Sequence, residues 1–195
     1  LLVYDKITGT KKDKLVPLLE VDGKTDIIFA ITVDNNSMLH GASFVNLKNE
    51  DAIFRIYRWN NGLDQVPEIF FELKHEDIKP TINTGIGRSI SIFGDTHKYA
   101  QIMVALDGEG TQDNRIARIA VENGTPRLAE IFNESTMTWP WRAKGIPVSE
   151  TSRIPYFAMH LGAPMNLVYH HTTGTYKFVT AANKSNFLNK LASGA

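Results

Sequence analysis

Four consecutive residues, Gly94-Asp95-Thr96-His97, place a carboxylate, a hydroxyl and an imidazole side by side. Those groups serve nucleophilic hydrolysis, but a triad requires them to converge from separate segments beside an oxyanion hole. The local reading is a turn in which Asp95 accepts nearby backbone N–H groups. A second candidate is the acidic stretch Asp107-Gly108-Glu109-Gly110-Thr111-Gln112-Asp113-Asn114. Its Asp107, Glu109 and Asp113 could supply oxygens to calcium, yet the glycine is misplaced for an EF-hand and no bidentate Glu closes the loop. A solvated hairpin is the expectation there, with no resident metal or cofactor.

The histidines His40, His75, His97, His160, His170 and His171 are scattered. Adjacent His170 and His171 would point to opposite faces of a strand and cannot chelate one ion from it. No GxSxG, P-loop or GxGxxG occurs, and Gly85-Ile86-Gly87 is too short to count. Asp34, Asp64, Asp95 and Asp107 fall near expected strand ends. A glycoside hydrolase needs two such carboxyl groups a few ångströms apart in one pocket, so a carbohydrate-active hydrolase using these acids is the alternative functional reading. The preferred ligand- or partner-binding residues are Trp139, Trp141 and Arg142, where Pro140 stiffens the segment between the two indoles. Exposed aromatics on a rigid loop suit stacking or interface anchoring; the competing role is to fold back over a neighbouring unit. Tyr57 and Trp59 are also aromatic candidates, with Trp59 expected in the core because it ends an alternating strand.

The elements that must position these residues are short β-type segments bounded by turn residues. They include Ile27–Val33, Ala42–Leu47, Ala52–Trp59, Glu68–Leu73, Ser89–Phe93, Gln101–Leu106, Arg115–Val121 and Leu128–Phe132, with Tyr156–His160, Asn166–His171 and Thr175–Thr180 beyond. Thr-Gly, Asp-Gly, Asn-Asn-Gly and Glu-Asn-Gly between them supply the positive φ angles of tight hairpins. Only Asn183–Leu191 looks helical, and Asn133–Arg153 reads as a long loop. Short strands without interleaved amphipathic helices indicate an antiparallel all-β fold.

The pattern also repeats. Arg55-Ile56-Tyr57-Arg58 returns as Arg115-Ile116-Ala117-Arg118, and Glu68-Ile69-Phe70 returns as Glu130-Ile131-Phe132. A repeat of roughly 60 residues with four antiparallel strands is the signature of a β-propeller blade. The expected units span about 1–25, 26–85, 86–150 and 151–195 of a single propeller-type domain. Such a count implies either a compact four-bladed ring with one irregular blade or part of a larger ring, the second being favoured by a start within a blade.

Composition narrows the partners. Lys+Arg and Asp+Glu each number 21, giving a formal net charge of zero, so there is no electrostatic footprint for nucleic acid. With no cysteine, disulfides, thiolate metal sites and thiol nucleophiles are excluded. No apolar run approaches the roughly 20 residues that span a bilayer as a helix. The opening Leu1-Leu2-Val3-Tyr4-Asp5 has neither Met nor a leader, and reads as a processed or truncated product.

The segment Phe54-Arg55-Ile56-Tyr57-Arg58-Trp59-Asn60-Asn61 with Val66-Pro67-Glu68, followed by Gly85-Ile86-Gly87-Arg88-Ser89-Ile90-Ser91-Ile92-Phe93-Gly94-Asp95, resembles uncharacterised propeller-like surface lipoproteins of Bacteroidetes. Leu2-Val3-Tyr4-Asp5-Lys6-Ile7-Thr8-Gly9 is similar to a hairpin common in propellers. The resemblance implies an exported protein at the outer-membrane surface or periplasm, held by a lipid anchor absent from this chain. It also implies a role as accessory to an outer-membrane nutrient-uptake complex. The expected function is therefore non-enzymatic binding or assembly, with a protein partner such as transporter subunits and a carbohydrate or peptide as further ligand.

Overall fold

Alternating and continuous apolar segments separated by glycine and asparagine turns should form antiparallel strands, and they do. The computed structural model describes residues 3–4, 7–12, 19–21, 23–78, 84–108, 115–133, 144–147, 155–158, 166–170 and 175–179. Two short hairpins come first: β1 (Val3–Tyr4) with β2 (Lys11–Lys12), and β3 (Glu20–Val21) with β4 (Lys24–Thr25). The first large sheet has the order β5 (Ile28–Val33), β6 (Leu39–Ser43), β8 (Ile53–Arg58), β9 (Glu68–Lys74). Between β6 and β8 lies β7 (Val45–Asn46), which leaves this sheet for the next.

After a one-turn helix α1 (His75–Ile78) come β10 (Thr84–Asp95), β11 (Tyr99–Gly108), β12 (Arg115–Glu122) and β13 (Thr125–Asn133). They form an antiparallel meander with β7 added along β10. The last sheet is β14 (Lys144–Pro147), β15 (Pro155–Ala158), β16 (Asn166–His170) and β17 (Thr175–Val179). The regular structure is almost entirely strand, in antiparallel sheets, one of which curls into a half-barrel.

Three expectations need correction. Asn133–Arg153 is not all loop, since Lys144–Pro147 pairs with β15; its two-proline surroundings lack the alternation that would mark a strand. Ala42–Leu47 is not one strand. The chain turns at Phe44, and the next two residues pair with Gly85 and Ile86 of β10. Where β6 departs, the Ser43 hydroxyl accepts the Arg55 N–H at 2.8 Å, so a side chain replaces the missing ladder partner. Finally α1, which the apolar pattern did not signal, is capped at its start by Asp77 accepting the Lys74 N–H at 2.8 Å. The helical expectation at Asn183–Leu191 lies outside the described residues.

The first two large sheets share one core. Ala42, Phe54, Ile56, Phe70 and Leu73 from the first pack with Ile86, Ile90, Ile102, Val104, Leu106, Ala117, Ile119 and Val121 from the second. Burying this much aliphatic and aromatic surface is the main source of stability, at about 25 cal/mol per Å² of apolar area. Middle strands are covered on both faces: Ala100 through Leu106 of β11 is an unbroken buried run. One glycine makes the close stacking possible. At Gly87 (φ +102°) a Cβ would lie 1.8 Å from the Ser43 carbonyl oxygen and 3.0 Å from the Phe54 ring. The short Gly85-Ile86-Gly87 sequence is thus a crossing point between sheets. The conformation and the closeness both demand glycine.

The matched Arg segments take like positions. Arg58 stands opposite Glu68 in β8–β9, and Arg118 opposite Glu130 in β12–β13. Each forms a cross-strand ion pair, at 2.6 Å and 3.4 Å.

Candidate functional site

The densest polar cluster of the described residues lies where the β5–β6 turn meets the β10–β11 turn. The first turn is built by Asp34. Its Oδ1 accepts the backbone N–H of Asn36 and of Met38, both at 2.9 Å, while Ser37 adopts φ +62°. A short polar side chain that substitutes for backbone partners is what holds such a turn. Its other oxygen, Oδ2, reaches the second sheet and accepts the Thr96 N–H at 3.1 Å and the Thr96 hydroxyl at 2.6 Å. Asn35 links the same two turns. Its N–H donates to the Gly94 carbonyl at 3.0 Å, and its Oδ1 accepts the Gly94 N–H at 3.2 Å.

Two further side chains close the cluster from below. Arg58 donates to the Thr96 carbonyl at 3.0 Å, pairs with Glu68 and stacks its guanidinium 4.3 Å from the Phe70 ring centre. His40, fully buried, meets the same ring edge-on at 5.6 Å. Its Nδ1 lies 2.9 Å from the Met38 carbonyl. A carbonyl can only accept, so Nδ1 carries the proton and the ring is the neutral tautomer. Nε2 is buried without a hydrogen-bond partner.

The electrostatics follow from this geometry. Burial alone would raise the Asp34 carboxyl, but hydrogen bonds from Thr96, Met38 and Asn36 outweigh it and hold the pKa below 3.8. Asp34 is therefore an ionised acceptor, and a carboxylate held this way has no proton to give as a general acid. Burial pushes His40 down to about 4, helped by the charges of Arg58 and His97 and resisted by the Met38 carbonyl and Asp34.

A second cluster sits on the outer face of the first sheet. Arg55 donates from Nε to Glu72 at 2.8 Å and from Nη1 to Asp26 at 3.2 Å, and the Tyr57 hydroxyl donates to the same Asp26 oxygen at 2.6 Å. Burial, and then the bond to Asp26, raise the Tyr57 pKa. Tyr57 is accordingly not ligand-facing, and Trp59 is buried beside it with Leu19, Leu39 and Ile69 around them. A third cluster, on the second sheet, joins Arg118 to Gln101 at 3.0 Å and to Glu130, with Gln101 donating to the Tyr99 hydroxyl at 2.7 Å.

The sequence-derived candidates divide accordingly. Thr96 is drawn to Asp34, a partner 62 residues away, whereas Asp95 serves its own turn by accepting the His97 N–H at 2.8 Å. Asp64 stands in the exposed β8–β9 turn. The backbone of Asp107 belongs to β11, opposite Gly85, instead of opening a loop. Glu109, Asp113, Trp139, Trp141 and Arg142 lie outside the described residues. Among the described residues no three His, Cys, Asp or Glu side chains gather as metal ligands, and no helix is long and apolar enough to cross a membrane. Asp26 went unrecognised because its partners Arg55 and Tyr57 are distant in sequence, and His40 because its burial comes from Phe70, two strands away in the sheet; the only trace was the recurring Arg-x-x-Arg, which marks the strand from which Arg55 and Arg58 reach out. No protein-family profile matches the chain, and no curated protein is significantly similar to it.

Proposed function

We propose that this chain is a non-enzymatic binding or assembly protein of propeller type, taking its partner through the turns at one end of its sheets. The observation that carries this reading is how polar groups are used at that end. The carboxylate, hydroxyl, imidazole and guanidinium of Asp34, Thr96, His40 and Arg58 bond one another or the backbone, joining two sheets. The surrounding turns meanwhile expose Asn36, Asn60, Asn61 and His97 together with Leu63 (37%) and Val66 (55%). Neutral amides interspersed with small apolar groups suit a protein contact or an uncharged ligand.

Support for the propeller arrangement comes from three successive antiparallel sheets, each with four strands consecutive or nearly so and the middle one joined by β7 as a fifth, and from their first long strands, since β10 lies against both β5 and β14. In a propeller these inner strands surround the axis, and loops at one end form the usual binding face. Export to the outer-membrane surface or periplasm, and service to a nutrient-uptake complex, rest on the family resemblance alone. The test is affinity capture from solubilised outer membranes, comparing the native protein with a Leu63→Asp/Val66→Asp variant. A partner retained by the first and lost at least tenfold by the second is expected. Recovery of the native protein alone would sink the assembly role.

A further inference from the structure

The chain contains two Asn-Gly pairs, Asn61-Gly62 and Asn123-Gly124. Asparagine is chemically labile, and most so before glycine, which has no side chain to shield the backbone nitrogen that attacks the amide. Both asparagines are exposed, and both glycines have positive φ, +93° at Gly62 and +77° at Gly124. Sequence and local conformation therefore do not tell them apart. Their surroundings do. Gly124 lies in the β12–β13 hairpin and is tied to the turn before β11: its N–H donates to the Lys98 carbonyl at 3.2 Å, and a Cβ on it would lie 3.0 Å from the His97 carbonyl oxygen. The flanking strands pair from Glu122 and Thr125 back to Arg115 and Asn133. Gly62 stands in the turn between β8 and β9, where residues 60–66 are all exposed and nothing lies within 4 Å of the place a Cβ would take. Among the described residues no acceptor holds its N–H.

We propose that Asn61 is a site of spontaneous deamidation in the folded protein, and that the fold protects Asn123 from the same reaction. The Gly62 nitrogen, giving up its proton to hydroxide, bonds to Asn61 Cγ, and the side-chain nitrogen leaves as ammonia. Water then opens the five-membered succinimide at either carbonyl, which leaves aspartate or isoaspartate at position 61. No oxidant or reductant takes part. At Asn123 the attacking nitrogen is engaged with Lys98, so the hairpin end must first open, and only the small open population reacts. Each conversion at Asn61 sets a negative charge on a chain of zero formal net charge, in the turn that carries Leu63 and Val66. Its bearing on a partner rests on the function proposed above, since a carboxylate is costly to desolvate in an apolar contact; the chemistry itself does not.

Incubation of the native protein in mildly alkaline buffer, followed by tryptic mapping, separates the two sites, because Asn61 falls in peptide 59–74 and Asn123 in peptide 119–127. Peptide 59–74 should gain the mass of an oxygen replacing NH and split into aspartyl and isoaspartyl forms, at roughly ten times the rate of 119–127 or more. In urea-unfolded chain the two peptides should convert at comparable rates, both being Asn-Gly. Asn61→Gln should abolish the change in 59–74 with the circular dichroism spectrum unaltered, because glutamine would have to close a larger ring. Four outcomes overturn the proposal: comparable rates in the native protein, a native 59–74 that stays intact while the unfolded chain converts, the native ratio reproduced in urea, or a conversion in 59–74 that survives Asn61→Gln.

Discussion

The turns at Asp34 and Asp95 use the same local device and end with different roles. In each, an aspartate at the end of a sheet's first strand accepts the backbone N–H two residues on, Asn36 in one case and His97 in the other. Asp95 remains at a margin, with its second oxygen 3.8 Å from the largely exposed Lys98. Asp34 is 5% exposed, and its second oxygen is taken by the Thr96 hydroxyl and N–H of the neighbouring sheet. The same residue type in the same kind of turn is thus a local cap in one place and a joint between sheets in the other. What separates them is the sheet stacked beside the turn.

The difference can be broken most severely at Asp34. Replacing it with alanine leaves the buried Thr96 hydroxyl and several N–H groups without an acceptor, and should cost about 3–4 kcal/mol in urea unfolding. Asp95→Ala, by contrast, should cost roughly 1 kcal/mol or less, since water can replace the lost acceptor. Equal losses at the two sites would end the distinction.

Acid should strain the Asp34 joint next. His40 is held neutral with a pKa near 4 against an ordinary 6.5, so between these values the unfolded chain takes a proton that the folded one refuses. Its contribution is complete above about pH 6.5 and is lost as pH falls toward 4, for a total of about 3 kcal/mol. Asp34, lowered from 3.8, removes stability in the same direction on further acidification. His40→Asn, whose amide nitrogen takes the place of Nδ1 and can still donate to Met38, should flatten the stability profile between pH 6.5 and 4. An unchanged slope would show that His40 is not its source.

Thr96→Val tests the hydroxyl while keeping the shape. Losing a donor to a buried carboxylate should cost about 2 kcal/mol, less than Asp34→Ala because the Thr96 N–H still serves Oδ2. The smallest effect belongs to the cross-strand pairs. Arg118→Met should cost about 1 kcal/mol through its partly exposed bonds to Glu130 and Gln101, whereas Arg58→Met should cost more because Arg58 anchors the buried Thr96 carbonyl and covers Phe70. Matching losses for the two arginines would place the joint in Asp34 and Thr96 alone.

Much of the fold was legible because its causes are local. The Asn123-Gly124 turn has φ of +51° and +77°, as its residue types require. The apolar segments from Ile27 to Phe132 fall close to the observed strands, and Arg58 and Arg118 sit opposite Glu68 and Glu130. What escaped depended on neighbours. The apolar run from Ala42 to Leu47 looks continuous but is divided between two sheets, because β10 passes close enough at Gly87 to capture Val45 and Asn46. Lys144–Pro147 is a strand by virtue of β15 beside it, with prolines masking any alternation.

At the candidate site the division is sharper. The amino-acid sequence by itself determined that Asp95 would hold a turn, since a short carboxylate at that place readily accepts the backbone N–H two residues on. It also determined that the strands would be antiparallel and the chemistry cysteine-free. Tertiary structure decided that Thr96 would turn to Asp34 instead of its neighbours Asp95 and His97, that Tyr57 would be an interior donor, and that Val45 would leave the strand before it for the next sheet. Each of those depends on which sheet lies across a contact, and a pattern along one strand carries no record of the surface stacked against it.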